Sequence, residues 1–130
     1  MLVDTSVWVA WLRGTENPAT VRLDRLLNEE AAWLAPVILQ ELLQGARNAA
    51  ELNTLRREFA CQPMLRATTG SYLLAGELYA RCRWQGLTIR SPHDCLIAAL
   101  AVENDIPLLT LDLDFKRISQ VEPRLVLLTR

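Results

Sequence analysis

Acidic side chains placed at the ends of apolar runs are the chemistry-bearing feature of this sequence. Asp4 follows Met1-Leu2-Val3 and precedes Thr5-Ser6 and the apolar segment Val7-Trp8-Val9-Ala10-Trp11-Leu12. The same grammar recurs where Pro107-Leu108-Leu109-Thr110-Leu111 runs into Asp112-Leu113-Asp114-Phe115. A carboxylate where a buried strand hands over to a helix lies at the carboxyl edge of a parallel sheet, the edge at which open α/β folds bind ligands. Two strands delivering acids to one edge imply a metal site built from oxygen donors, which select hard divalent cations such as magnesium or manganese. Such an ion polarises a phosphate and lowers the pKa of a water, which is what phosphodiester hydrolysis requires.

Two further acids join these from helical segments. Glu41 shares a helix face with Ile38, Leu42 and Gly45, and a carboxylate on an apolar face is costly unless something pairs it. It either serves the site or reaches solvent or an arginine such as Arg47. Asp94, in Ser91-Pro92-His93-Asp94-Cys95-Leu96-Ile97-Ala98-Ala99, stands in a first helical turn, where an acid complements the helix dipole. The almost wholly apolar run behind it buries this helix and turns its first turn towards the edge of the fold. Asp112 and Asp114 repel one another unless a cation or solvent relieves them, although aspartates in that place also suit a plain turn. The single histidine, His93, gives no Ser/His/Asp triad, and no glycine-rich phosphate loop is present.

The elements that must position these acids alternate between strands and helices. The first strand is followed by a helix from Val7 to Leu12 and a Gly14–Pro18 loop. A helix over Ala19–Glu30 leads to a second strand at Ala31–Ala35, and Pro36 opens a helix to about Ala46. Another helix covers Ala49–Phe59, and Pro63-Met64-Leu65 marks a third strand. Thr69–Gln85 has helical spacing closed by Gly86, and Ser91-Pro92 caps a helix reaching Glu103. Strands at Pro107–Leu111 and Arg124–Thr129 complete the chain. The alternation predicts an α/β fold, a small doubly wound parallel sheet flanked by helices, with residues 1 to 130 as a single domain.

Composition narrows the function classes. About half of the 130 residues are hydrophobic, as a well-buried core needs. Cys61, Cys82 and Cys95 are widely spaced and odd in number, so neither a disulfide scaffold nor a zinc site is expected, and the cysteines read as core filler. The cytoplasm is the natural compartment. No apolar run is long enough for a membrane span, and no secretory leader is expected. A net charge of −1 argues against a generic basic nucleic-acid binder, yet setting aside Asp4, Glu41, Asp94, Asp112 and Asp114 leaves ten acids against fourteen bases. All of those bases except Lys116 are arginine.

Leu2-Val3-Asp4-Thr5-Ser6-Val7-Trp8, Ile38-Leu39-Gln40-Glu41-Leu42-Leu43-Gln44-Gly45, Asp94-Cys95-Leu96-Ile97-Ala98-Ala99 and Leu109-Thr110-Leu111-Asp112-Leu113-Asp114-Phe115 together resemble the PIN-domain ribonucleases, specifically the VapC toxins of prokaryotic toxin–antitoxin pairs. The resemblance spans essentially the whole chain, with four motifs in order. It implies a magnesium- or manganese-dependent endoribonuclease in which Asp4, Glu41 and Asp94 are metal-binding acids. Asp112 is the favoured fourth acid, with Asp114 as an outer or alternate ligand. Thr5, Ser6 and Thr110 match polar positions that order the site. The implied reaction is in-line attack of an activated water on phosphorus, leaving a phosphate on one fragment and a hydroxyl on the other. The resemblance also implies an RNA substrate, homodimers and a tightly bound VapB-like antitoxin.

Trp8 and Trp11 make the first helix apolar nearly all round, which fits either burial against a protein partner or core packing. Two rival functions remain. A non-catalytic RNA-binding or assembly module would not require the full set of acids. A phosphatase of small phosphoesters would want a second acid two residues after Asp4, where Ser6 stands.

Overall fold

The first strand carries the site and also organises the sheet. In the computed structural model, which describes residues 1–128, β1 (Leu2–Val3) is wholly buried and pairs in parallel with β2 (Leu108–Leu109), Leu2 facing Leu108 and Val3 facing Leu109. β2 pairs in turn with β3 (Leu127–Leu128), again in parallel. On the far side of β1, single parallel bridges join Leu2 to Trp33 and Leu34 to Met64. The sheet therefore runs Met64, Trp33–Leu34, β1, β2, β3. Chain order reverses between β1 and β2, the topological switch point at which doubly wound sheets bind ligands.

The two extended segments expected beside β1 are shorter than the sequence reading gave them. Pro36 begins a helix directly after Ala35, and Pro63 has no N–H to offer, so pairing stops at a single bridge on each side of Trp33–Leu34. The terminal strand is confined to Leu127–Leu128 where Arg124–Thr129 was expected. Thr129 lies outside the described residues.

The helices are set by their caps. Asp4 caps α1 (Thr5–Leu12), so the helix begins at Thr5 and not at Val7. Asn17 and Thr20 form a reciprocal box at the start of α2 (Pro18–Asn28), and Pro36 opens α3 (Pro36–Gln44). Asn48 caps α4 (Ala49–Phe59). Thr68 and Ser71 box the start of α5 (Thr69–Trp84), and Gly86, at φ +75°, turns the chain out of it. Ser91 caps α6 (Pro92–Glu103), whose residues from Asp94 to Ala101 are all buried. This helix is the central beam of the molecule, packed along α5 and also against α7. No helix among the described residues is long and apolar enough to cross a membrane.

Two findings correct the sequence reading. A seventh helix, α7 (Asp114–Val121), follows β2 and buries Phe115, Ile118 and Val121 on one face. Their three-residue spacing was the available signal, diluted by the polar Lys116-Arg117 and Ser119-Gln120 pairs. Trp8 is not available to a partner. It is 1% exposed, its ring sits edge-on to Phe59 and Trp11 with centroids 5.2 and 6.0 Å away, and its indole Nε1 donates to the Val3 carbonyl at 3.1 Å. Trp11 is half-buried and donates to Asp24 Oδ1 at 2.8 Å, tying α1 to α2. Cys82 and Cys95 are buried as core residues, whereas Cys61 is exposed.

Trp8 thus joins the back of β1 to α4. Trp8→Ala should lower the unfolding free energy by about 3–5 kcal/mol, the usual cost of removing a buried tryptophan. Urea unfolding checks this; a loss under about 1 kcal/mol would show that Trp8 does not hold these elements together.

Candidate metal centre

Asp4 is fixed before it can do chemistry. Its backbone N–H donates to the Leu109 carbonyl at 2.9 Å, locking the end of β1 to β2. Its Oδ2 accepts from Ser6 Oγ (2.6 Å), Thr110 Oγ1 (3.0 Å) and the Ser6 N–H (3.3 Å). Ser6 Oγ also accepts from the Leu111 N–H at 3.0 Å, and Thr110 Oγ1 from the Asp112 N–H at 2.9 Å. Two small hydroxyls therefore stitch the ends of β1 and β2 around one carboxylate. Burial pushes Asp4 above the ordinary carboxylate range, and the bonds from Ser6 and Thr110 partly offset that shift.

Glu41 comes from α3 and is positioned by Thr5, whose Oγ1 donates to Glu41 Oε1 at 2.7 Å. It does not pair with Arg47, which binds Glu51. Glu41 Oε2 lies 3.9 Å from His93 Nδ1, so the lone histidine stands at the rim of the acids. The loop after β2 contributes two carboxylates in unlike surroundings. Asp112 Oδ1 accepts from the Asp114 N–H at 2.9 Å and from Arg90 Nη2 at 3.0 Å. Asp114 has both oxygens engaged. Its Oδ2 accepts from the Arg90 N–H (3.1 Å) and Nε (3.2 Å), and its Oδ1 from Arg117 Nη1 (2.5 Å). Desolvation lifts the Asp114 pKa, but the bonds and charges of Arg90 and Arg117 outweigh it and hold the group below its ordinary value.

Asp94 has the opposite environment. It is 6% exposed, has no side-chain hydrogen bond to a described residue, and keeps its oxygens in slight contact with solvent. Burial, followed by the charges of Asp4, Asp112, Glu41 and Asp114, raises it to about 8. One oxygen from each of Asp94, Asp112 and Asp114 lies within 4.8 Å of the others. A largely buried carboxylate with no protein donor, facing several acids, is disfavoured in its charged form unless a cation meets it. The all-oxygen donor set fits a hard divalent ion. Asp94, Asp112 and Asp114 are the acids whose oxygens converge, with Asp114 also bound to two arginines; Asp4 and Glu41 stand close enough for their charges to act on Asp94. The structure places Thr5, Ser6 and Thr110 where they orient these acids.

Arg90 and Arg117 were not singled out from the sequence. Nothing in composition separates them from the other arginines, and Arg117 falls into register with Asp114 only once α7 is known to be a helix.

Residues 1–121 match the family model described as PIN domain. Ribonuclease VapC11 of Mycobacterium tuberculosis is 38% identical over 124 residues, covering 93% of this chain and 92% of the relative. Ribonuclease VapC1 of Rickettsia felis is 29% identical over 133 residues, covering 94% and 92%. Among solved structures, VapBC2 of Rickettsia felis bound to a promoter DNA fragment superposes with a TM-score of 0.77 at 22% identity, covering 98% of this chain and 96% of that one. VapBC-5 of Mycobacterium tuberculosis gives 0.70 at 21%, covering 99% and 97%. At those identities the structural likeness establishes the fold.

The strain at Asp94 has a measurable sign. With its pKa raised to about 8, the folded chain keeps a proton that the unfolded chain has already released. Stability in chelator should therefore fall as pH rises from about 4 towards about 8. Asp94→Asn should flatten that slope and melt higher than the parent near the upper end of the window. Identical pH slopes for the two proteins would show that Asp94 is not destabilised by its neighbours.

Proposed function

The chain belongs to the PIN-domain family, within it to the VapC group, and from that premise we propose that it is a magnesium- or manganese-dependent endoribonuclease held in check by a VapB-like antitoxin. The observation that carries the reading is Asp94, a buried carboxylate without a hydrogen-bond donor, facing other acids at the carboxyl edge of the sheet's switch point. A cation would offset the crowding of acids around it.

In this reading Asp4, Glu41, Asp94 and Asp112 hold the ion. When bound, it supplies Lewis acidity to a phosphoryl oxygen and makes a water nucleophilic near neutral pH. The chain's own residues supply the rest. Ser6 and Thr110 fix Asp4 through Oδ2, and Thr5 fixes Glu41 through Oε1. Asp94 would hold the ion as a carboxylate, its proton released on binding. The rigid ends of β1 and β2 keep these oxygens from turning aside, so a scissile phosphate meets a set geometry instead of organising one.

The antitoxin reading draws on the structures of related VapBC assemblies and on the partly exposed side of α1, where Trp11 is half-buried and Leu12 exposed. Trp11, and not Trp8, is the anchor offered there. The proposed homodimer has apolar surface available along α5, where Tyr72, Leu73 and Trp84 are exposed.

Magnesium-dependent RNA cleavage, abolished by chelation, is the expected activity. Asp4→Asn and Asp94→Asn should each lower it by more than about 100-fold, above the cost of disturbing groups that merely support metal ligands. A folded variant that cuts at the parent rate sinks the assignment. Manganese affinity, read by calorimetry, should drop in Asp112→Asn and stay close to the parent in Asp114→Asn, because the oxygens of Asp114 are already taken by arginines. Equal losses in both would make Asp114 a ligand as well.

A further inference from the structure

An open trough of about 840 Å³ borders the acids, lined in part by Arg90, Arg117, Ser6, Leu111 and Leu113. Its volume lies in the range of small-molecule and cofactor sites. Both arginines are presented to it in a fixed manner. Asp114, 1% exposed, binds Arg90 through Oδ2 and Arg117 through Oδ1, so a single buried carboxylate holds two guanidinium groups side by side. The Arg90 side chain is 73% exposed and Arg117 is 43% exposed. Arg90 spends Nε and Nη2 on Asp114 and Asp112. Its Nη1, and the Nη2 of Arg117, are bonded to no described residue, leaving planar N–H donors directed at solvent.

The opposite character stands next to them. Leu111 and Leu113 alternate with Asp112 and Asp114; the acids turn inward and the leucines outward, with Leu111 40% and Leu113 61% exposed. A cationic fork beside two exposed leucines fits a nucleotide, with its phosphate on the guanidinium groups and its ribose or base against apolar surface. A bare ion pair between the α5–α6 loop and α7 would need one arginine, and no apolar wall.

We propose that Arg90 and Arg117, held by Asp114, form a backbone-phosphate site for single-stranded RNA one step from the acids, with Leu111 and Leu113 covering the adjoining nucleotide. This rests on the ribonuclease reading above. It gives Asp114 a positioning role distinct from metal binding, and it places the phosphate on guanidinium N–H donors that Asp112 and Asp114 leave free, in a trough whose two arginines and two aspartates balance in charge.

The test measures binding of a fluorescein-labelled single-stranded oligoribonucleotide to the Asp94→Asn chain in chelator, so that no cleavage intervenes, over a range of salt. Adding Arg90→Gln or Arg117→Gln should weaken affinity several-fold. Each should also make the logarithmic salt dependence shallower by about 0.7, the contribution of one phosphate contact on a single strand. Arg117→Lys should recover part of both effects, because charge and not the bond to Asp114 is what RNA reads. Arg117 sits on a helix and makes one ion pair, so its variants carry the test even where Arg90→Gln disturbs the loop. Folded variants with the parent's affinity and slope would overturn the site, as would an equal effect from the neighbouring exposed Lys116→Gln. Cleavage by the unmodified chain is scored alongside. Cleavage with unaltered binding in the arginine variants overturns this site alone; neither cleavage nor binding by any form overturns it together with the ribonuclease reading.

Discussion

Repulsion among carboxylates crowded at the ends of β1 and β2 is the force the rest of the structure has to contain. The sheet brings Asp4 and Asp112 to one edge because β1 and β2 are in register, and α6 delivers Asp94 into the same space from its first turn. Nothing about the strands themselves favours that meeting. It is tolerated because short, directional groups take up part of the charge: Ser6 and Thr110 at Asp4, Thr5 at Glu41, and Arg90 at Asp112 and Asp114. The buried apolar run of α6 supplies the compensating stability, since every residue from Asp94 to Ala101 leaves water. Asp94 cannot withdraw from its neighbours without unpacking the helix that carries it.

That arrangement explains why much of the site was legible from the sequence. Asp4, Asp94 and Asp112 each stand at a boundary between elements, and boundaries carry local signals. Ser91-Pro92 fixes the start of α6, and the apolar pair Leu108-Leu109 fixes β2. The partners of those acids were harder to read. Glu41 pairs with Thr5, 36 residues away, and not with the nearby Arg47. Arg90 reaches Asp114 across 24 residues. Such contacts depend on how elements dock, and spacing along the chain does not encode docking. Trp8 misled for a related reason. An aromatic residue on a helix that is apolar all round fits a core or an interface equally, and Phe59, which settles the matter, comes from α4. The missed α7 is a limit of length, since eight residues with polar pairs between the buried positions give periodicity little room.

The acids can be ordered by how many of their oxygens the fold has already claimed. Asp114 has both engaged by arginines, and its pKa is depressed accordingly. Asp112 accepts its hydrogen bonds on Oδ1, Asp4 its bonds from Ser6 and Thr110 on Oδ2, and Glu41 its bond from Thr5 on Oε1. Asp94 has neither engaged, and burial with the neighbouring acids raises it to about 8. A carboxylate that spends one oxygen on its own backbone neighbourhood is held rigidly while remaining a ligand, and one that spends both becomes scaffold. The same five acidic side chains therefore serve as anchor, oriented ligand and unpartnered acceptor according to their bonds, a distinction that residue type and spacing cannot express. Asp112 and Asp114 show this most sharply. They are separated by one residue and identical in chemistry, yet Asp112 meets Arg90 alone and Asp114 braces both Arg90 and Arg117, because α7 begins at Asp114 and brings Arg117 within reach one turn later. The division of labour therefore lies in where α7 begins after β2 and not in either aspartate.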